Sequence, residues 1–190
     1  MKRVIMLILL INIFSVWNFL GGLQCDPDED VVKVQIFKSY DQIHSGMDLK
    51  IALRVDILGT WHINSNVPAG DFLVATNVNI PSDSFFSFSE FQYPEALSLF
   101  LEFSERPVSV FEGEIFIGGV IPIPEDIVLG KHMIPLQFTY QACNDQTCLP
   151  PETLEKEITI TVVDKKTPIQ EINTEIFRKT EKDPLRSSTS

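Results

Sequence analysis

The sequence has few of the residues on which most enzyme chemistries depend. Its 190 residues include three cysteines and three histidines, and it holds neither a glycine-rich phosphate loop nor a Gly-x-Ser-x-Gly turn that would present a nucleophilic serine. His44, His62 and His132 stand far apart, without the close spacing of a metal-binding motif. Nucleotide chemistry and serine hydrolysis therefore have no support, and we expect no cofactor and no metal ion.

Positive charge is also scarce. The chain carries 15 Lys and Arg residues against 26 Asp and Glu residues, for a formal net charge of −11. Nucleic acids and anionic membrane surfaces select proteins with basic patches. We therefore expect no nucleic-acid partner, and membrane contact only through an N-terminal anchor or lipid.

Helical patterns are missing from most of the chain, and strand patterns replace them. Apolar residues alternate with polar ones through 32–37 and 49–57, and glycine, proline, asparagine and serine separate the runs. Many short strands with such turns predict an all-β fold, an immunoglobulin-like antiparallel β-sandwich over residues 30–163. Further strands are predicted at Trp61–Ile63, Leu73–Ile80, Phe85–Phe88, Val108–Phe111, Glu114–Ile123, Met133–Tyr140 and Glu157–Val163.

The aromatic run Phe85–Pro94 alternates with polar residues. We interpret it as a strand that contributes to the core, with an exposed patch for a partner as the alternative.

The first 25 residues have the pattern of a targeting segment. Lys2 and Arg3 precede an apolar run, Val4–Leu23, and an acidic cluster follows it. This order is typical of a secretory signal or an uncleaved N-terminal anchor. The rest of the chain is then exported to an oxidising compartment, the periplasm if the source is bacterial, where a disulfide persists.

Cys25 stands where a bacterial lipoprotein carries its acylated cysteine. The positions that a lipobox assigns to Leu and to a small residue hold Gly22 and Gln24, which is a poor match. Lipidation, simple cleavage and an uncleaved anchor all remain open.

The C-terminal run 164–190 differs in character from the body. Ile169, Ile172, Ile176 and Phe177 fall at helical spacing and predict a short amphipathic helix. The polar residues from Asp183 onward predict disorder.

Cys143 and Cys148 lie in one short loop between two predicted strands, and Pro150 and Pro151 stiffen the exit from it. Four intervening residues allow a disulfide if the turn brings the two Cα atoms close enough. From the residues alone, the pair is a structural disulfide, a redox-active disulfide or half of a metal site. A metal site is the weakest of the three because it needs two more ligands.

The segment Tyr140–Glu152, sequence YQACNDQTCLPPE, resembles the active-site segment of the N-terminal domain of thiol:disulfide interchange protein DsbD, also called the disulfide bond corrector domain. Gly59–Asn66 resembles the early Trp-His segment of that family, and Val108–Glu114 resembles its aromatic-Glu-Gly segment. The similarity covers about residues 30–163. It implies an immunoglobulin-like fold and thiol:disulfide exchange.

The resemblance also implies roles for single residues. Cys148 forms the mixed disulfide with a thioredoxin-fold partner, and Cys143 resolves it. Phe111, in a cap loop with Glu112 and Gly113, shields Cys148 until a partner docks. Four other residues are predicted to lie near the pair: Tyr140, Asp145, Glu152 and His62. We expect His62 to be a hydrogen-bonded structural histidine, with a proton carrier as the alternative. A carboxylate close to a cysteine would raise the pKa of its thiol.

We therefore expect an exported thiol:disulfide exchange module, a protein-disulfide reductase or interchange component. Its expected partners are thioredoxin-fold redox proteins or a membrane thiol reductase. The sequence holds no multi-helix membrane section and no thioredoxin motif, so we expect the electron donor to be another polypeptide. The alternative is a non-enzymatic immunoglobulin-like binding or structural module with an inert loop disulfide. Metal delivery through the two thiols and a histidine is a third hypothesis.

Overall fold

The computed structural model describes residues 30–68, 72–100 and 106–182. The signal, anchor and lipidation predictions, including the one for Cys25, lie outside these residues, as does the predicted disorder from Asp183. No helix within the described ranges is both long enough and apolar enough to span a bilayer.

Twelve strands and one helix make up the described part of the chain. They are β1 (Val32–Lys38), β2 (Ile43–His44), β3 (Asp48–Ile57), β4 (His62–Asn64), β5 (Asn77–Asn79), β6 (Glu90–Gln92), β7 (Leu97–Leu99), β8 (Val108–Glu112), β9 (Glu114–Pro122), β10 (Gly130–Tyr140), β11 (Ala142–Cys143), β12 (Glu152–Val163) and α1 (Thr174–Lys182).

The strands form three four-stranded sheets. The first has the order β1-β3-β9-β6, the second β2-β12-β10-β5 and the third β11-β4-β8-β7. Every pairing is antiparallel except that of β12 with β2. The predicted all-β, immunoglobulin-like antiparallel sandwich is confirmed.

All three sheets contribute to one hydrophobic core. Leu53 of β3, Leu136 of β10 and Phe111 of β8 are each at most 1% exposed and belong to the same packed cluster. In β3 the alternation places Leu49 and Leu53 in the core, whereas Lys50 points outward. The third sheet, which holds the cysteine loop, is therefore fixed to the same core as the two sheets of long strands.

Helix α1 lies on the outer face of the first sheet. It packs where two small residues, Ala52 and Gly118, are paired across β3 and β9. A Cβ atom built on Gly118 would lie 3.5 Å from Cβ of Thr180, so the small residues let the helix approach the sheet closely. Phe177 is 8% exposed as a result.

The helix is shorter than the sequence predicted, because Ile169 and Ile172 precede its first residue. The chain there is held by a bridge between Tyr40 and Glu171, and Asn173 follows with a left-handed φ of 55°. These contacts keep the segment extended until the helix begins at Thr174.

The predicted strand Phe85–Phe88 is wrong. A turn holds its start, because Ser84 N–H donates to the carbonyl of Pro81 and the Ser84 hydroxyl accepts from Phe86 N–H. Phe86 is buried in the core but Phe85 is 67% exposed. The strand forms instead at β6, where the chain pairs with β9.

The predicted strand Leu73–Ile80 is also too long, since only β5 forms. Two side chains form hydrogen bonds with the backbone groups of Val74. Its carbonyl accepts from Asn64 Nδ2 at 3.0 Å, and its N–H donates to Gln141 Oε1 at 3.2 Å. These bonds take the groups that a strand would have used.

Candidate functional site

Cys143 and Cys148 are joined by a disulfide across the end of a tight hairpin. Their Cα atoms are 4.0 Å apart, slightly less than the roughly 4.4–6.8 Å usual for disulfides. Hydrogen bonds flank the pair on both sides, from Asn144 N–H to the Thr147 carbonyl and from Leu149 N–H to the Ala142 carbonyl, each 2.8 Å. The two cysteines are therefore held directly opposite each other.

Asn144 shapes the turn between the cysteines. Its side-chain oxygen accepts hydrogen bonds from the N–H groups of Gln146 and Thr147, both at 2.9 Å. An asparagine that bonds the backbone two and three residues ahead stabilises such a turn locally. The geometry of the turn is thus encoded within its own four residues.

The two cysteines differ in exposure. Cys143 is 1% exposed, whereas Cys148 is only half-buried and the next residue, Leu149, is 37% exposed. A partner that approaches from solvent therefore meets Cys148 first.

Across the third sheet, Cys143 is aligned with two other polar residues. It pairs with His62 on β4, and His62 pairs with Glu112 on β8. Residues paired across strands point to the same face of a sheet. Cys148, Cys143, His62 and Glu112 thus form a row along one face, which we call the cysteine row.

His62 is a buried member of the cysteine row. The residue is 3% exposed, and one of its ring nitrogens, Nε2, has no hydrogen-bond partner in the part of the chain that the structure describes. Burial lowers the pKa of His62, while the negative charges of Glu112 and Asp145 oppose that change. The imidazole is therefore biased towards its neutral form.

Phe111 lies on the other face of the sheet. It pairs with Ile63, which pairs with Ala142, and all three belong to the core. Because adjacent residues of a strand face opposite ways, Glu112 and not Phe111 shares the row with Cys143. Phe111 is thus a strand and core residue here, and its implied role as a shield of Cys148 stays a prediction.

Gly113 connects β8 of the third sheet to β9 of the first. Its φ of 64° lies in the left-handed region, which a residue with a side chain adopts only with strain. The chain changes sheet at this single residue.

Tyr140 and Glu152 line a groove of about 380 Å³ on the side of the loop marked by Ala142 and Leu149. The Tyr140 hydroxyl donates to Glu152 Oε2 at 2.7 Å. Burial raises the pKa of Tyr140, and the bond to Glu152 adds to the increase. The negative charges of Asp145 and Glu112 therefore act on His62, whereas Glu152 is engaged with Tyr140.

Gln141 was missed by the sequence interpretation. Its Nε2 donates to the Leu149 carbonyl at 3.3 Å, and its Oε1 accepts from Asn64 Nδ2 and from Val74 N–H, each at 3.2 Å. One amide thus ties the cysteine loop to β4 and to the segment before β5. Its place two residues before Cys143 is the only signal in the sequence.

Within the described ranges, no three His, Cys, Asp or Glu side chains are grouped as ligands for a metal ion.

The sequence matches the family described as "Thiol:disulfide interchange protein DsbD, N-terminal" over residues 29–160. The chain belongs to this family. The matched range is more than half of the chain and includes both cysteines of the hairpin, so the resemblance stated from three short segments is confirmed. A comparison with curated proteins gives no match.

Matches among solved structures include the N-terminal periplasmic domain of ScsB from Proteus mirabilis, with 18% sequence identity and a TM-score of 0.48. The match covers 71% of this chain and 48% of that one, so the chain spans about half of its length. A cohesin–dockerin complex from Clostridium thermocellum gives 9% identity, a TM-score of 0.37, and coverage of 69% of this chain and 99% of that one. Both TM-scores are below 0.5, and the family match carries the assignment to DsbD N-terminal domains.

Proposed function

We propose that this DsbD N-terminal family member is an exported thiol:disulfide exchange module whose Cys143/Cys148 pair passes electrons between thioredoxin-fold partners. The observation that carries the proposal is the unequal exposure of the two cysteines, with Cys143 at 1% and Cys148 half-buried. Exchange proceeds when one sulfur is accessible to a partner and a second is held beside it to resolve the mixed disulfide.

The two sulfurs have complementary roles in the forward step. The Cys148 thiolate attacks a sulfur of an oxidised partner, so that a Cys148–partner bond forms and the partner's own disulfide breaks. Cys143 then attacks Cys148 Sγ as a thiolate, which closes the Cys143–Cys148 bond and releases the partner as a dithiol. Two electrons leave this domain and two protons balance the partner's thiols. The reverse sequence reloads the pair from a donor.

Family membership supports a location outside the cytoplasm. An oxidising compartment also suits the exchange function, because the disulfide persists there between encounters with partners. Thioredoxin-fold proteins and a membrane thiol reductase are the partner classes that this chemistry implies. The accessible side of the hairpin at Cys148 and Leu149 is where such a partner would dock.

The deciding experiment is the equilibrium redox potential of the Cys143/Cys148 pair in a protein that begins at Asp26. That protein contains no other cysteine. Glutathione and dithiothreitol buffers set the potential, and alkylation traps the free thiols. We expect a value between roughly −180 and −270 mV, within the range of known exchange proteins. A value well below about −300 mV would mark an inert structural bond and would favour the binding-module alternative.

A trapping experiment tests the partner class. Cys143→Ser leaves Cys148 without its resolving thiol, so a mixed disulfide with a thioredoxin-fold protein accumulates. Cys148→Ser is the matched control, since the remaining Cys143 is buried and should trap much less. Equal trapping by the two variants would contradict the assignment of Cys148 as the attacking residue.

A further inference from the structure

The strongest unexplained feature near the disulfide is His62. A buried polar atom without a hydrogen bond is costly, and native proteins rarely retain one without a reason. His62 Nε2 is such an atom, in a residue that is 3% exposed. Among the described residues, His62 Nε2 therefore makes no hydrogen bond while the disulfide is closed.

The register brings this imidazole to the buried cysteine. His62 is the direct cross-strand partner of Cys143, and side chains so paired have Cβ atoms about 4.5–5.5 Å apart. A disulfide sulfur carries no proton to exchange. Opening the disulfide turns Cys143 into a thiol, the first group in the row with a proton that Nε2 could accept.

Two carboxylates face His62 from the elements packed around it. Glu112 comes from β8 and Asp145 from the cysteine loop, and both stabilise a positive charge on the ring. Cys143 is its partner on β11. A neutral ring that can be charged without leaving its site is the requirement for a transient proton carrier.

We propose that His62 is the proton acceptor that activates Cys143 for the resolving step. This inference rests on the proposed exchange function and adds a catalytic residue to it. In the mixed disulfide, His62 Nε2 takes the proton of the Cys143 thiol. The thiolate attacks Cys148 Sγ, the Cys143–Cys148 bond forms, and the Cys148–partner bond breaks with its electron pair on the partner's sulfur. The proton then passes from His62 to that thiolate or to water.

The test separates attack by Cys148 from resolution by Cys143. A reduced protein that begins at Asp26 is mixed with a nitrobenzoate disulfide, which releases one coloured thiolate when Cys148 attacks and a second when Cys143 resolves. The rate of the second release is measured from about pH 5 to pH 9, a range that spans the titration of an imidazole.

We expect His62→Gln to slow the second release about 10-fold or more near neutral pH while the first release changes little, because a positioned proton acceptor contributes at least that much. The variant rate should rise with pH until the Cys143 thiol itself ionises. His132→Gln is the matched control, since that ring binds the Val128 carbonyl at 2.7 Å and lies outside the cysteine row. A second release in His62→Gln that matches the wild-type rate and pH profile would overturn the proposal.

A second measurement needs no variant and so does not depend on the folding of His62→Gln. The titration of the three histidine rings is followed by NMR in the oxidised and reduced protein. We expect His62 to titrate at lower pH in the reduced form, because the Cys143 S–H group can then donate a hydrogen bond to Nε2, which favours the neutral ring. His44 and His132 should be unchanged, and an unchanged His62 would contradict the proposal.

The two proposals fail in different ways. If the wild type gave no second release and its pair could not be reduced within the range of exchange proteins, the exchange function itself would fail. If the wild type resolved normally and only the effect of His62 were absent, the exchange function would stand and His62 would be a structural residue.

Discussion

The first and third sheets differ in the length of their strands and in the interactions that hold those strands together. β3 and β9 of the first sheet have 10 and 9 residues, and their inward side chains are almost fully buried. The strands of the third sheet have 2, 3, 5 and 3 residues in the order β11, β4, β8 and β7. Side-chain bonds such as those of Gln141, together with one disulfide, complete this sheet.

The disulfide therefore lies in the sheet that is built only of short strands. Long, continuously paired strands open only with global unfolding, whereas short strands with few backbone hydrogen bonds open locally at lower free energy. Cys143 ends the two-residue strand β11, so few backbone hydrogen bonds hold it in the sheet. The first sheet thus has the longer continuous pairing, and the third sheet holds the disulfide.

The largest effect that would test this division is on exchange. Cys148→Ser should reduce thiol transfer to background, because the accessible sulfur is lost, while the sandwich remains folded. The loss of the disulfide should cost about 2 kcal/mol of unfolding free energy, since the closed loop is short. Transfer is measured with the nitrobenzoate disulfide and stability by urea titration.

Cys143→Ser is the control for this prediction, because it removes the same disulfide but keeps the accessible thiol. It should lose the same stability and still release the first thiolate. If Cys148→Ser unfolded the whole protein, the third sheet could not open independently of the core. That result would contradict the contrast between the two sheets.

The second effect is on stability. Leu53→Ala should lower the unfolding free energy by about 3 kcal/mol, because Leu53 is 0% exposed and its loss leaves a cavity in the core. Leu97→Ala, in the edge strand β7 of the third sheet, should cost less than about 0.5 kcal/mol, since Leu97 is 49% exposed. Urea titration with equal slopes for the two variants measures both values. Comparable losses would show that the edge strand β7 is packed as firmly as the central strand β3.

The same contrast explains how far the sequence could predict the structure. The strands of the first sheet at 32–37 and 49–57 were predicted almost to the residue, because an alternating pattern is a local signal that survives in the fold. The short strands β2, β7 and β11 were not predicted, and β6 was covered only by the interpretation of the aromatic run Phe85–Pro94 as a strand. Strands of two or three residues are set by the strand they pair with, and that partner is distant in sequence.

The cysteine pair was predicted, and His62 and Glu112 were named as candidate site residues, but their alignment with Cys143 was not predicted. The cysteine pair could be found from spacing and resemblance, since both reside in one loop. The alignment of His62 and Glu112 with Cys143 depends on the register of three strands that are separated by tens of residues. Periodicity in one strand gives which residues share a face but not which residues of another strand stand beside them.

A third prediction examines how tightly the first sheet is packed. Gly119→Ala should lower the unfolding free energy by about 1–3 kcal/mol, because an added Cβ would lie 2.8 Å from Cε1 of Phe91 and force the ring to move. Gly59→Ala is the matched control, since nothing lies within 4 Å of its added Cβ. Urea titration of both variants gives the comparison. An equal, small change in both would show that Phe91 yields without cost and that the sheet is looser than its burial suggests.

The smallest expected effect is a pH dependence of the unfolding free energy that comes from Asp41, a residue outside the cysteine row. Asp41 Oδ1 accepts from Gln170 N–H at 3.0 Å and from Gln42 N–H, and these bonds lower the pKa of Asp41. A lowered pKa means that Asp41 contributes stability above its unfolded pKa of about 3.9 and loses that contribution as the pH falls through its lower folded value. Asp41→Asn keeps an acceptor but removes the charge. It should therefore be less stable than the wild type at neutral pH and equal to it in strong acid, as measured by urea titration at several pH values. The redox potential of Cys143/Cys148 should not change in this variant, and a change would show that the two regions are coupled.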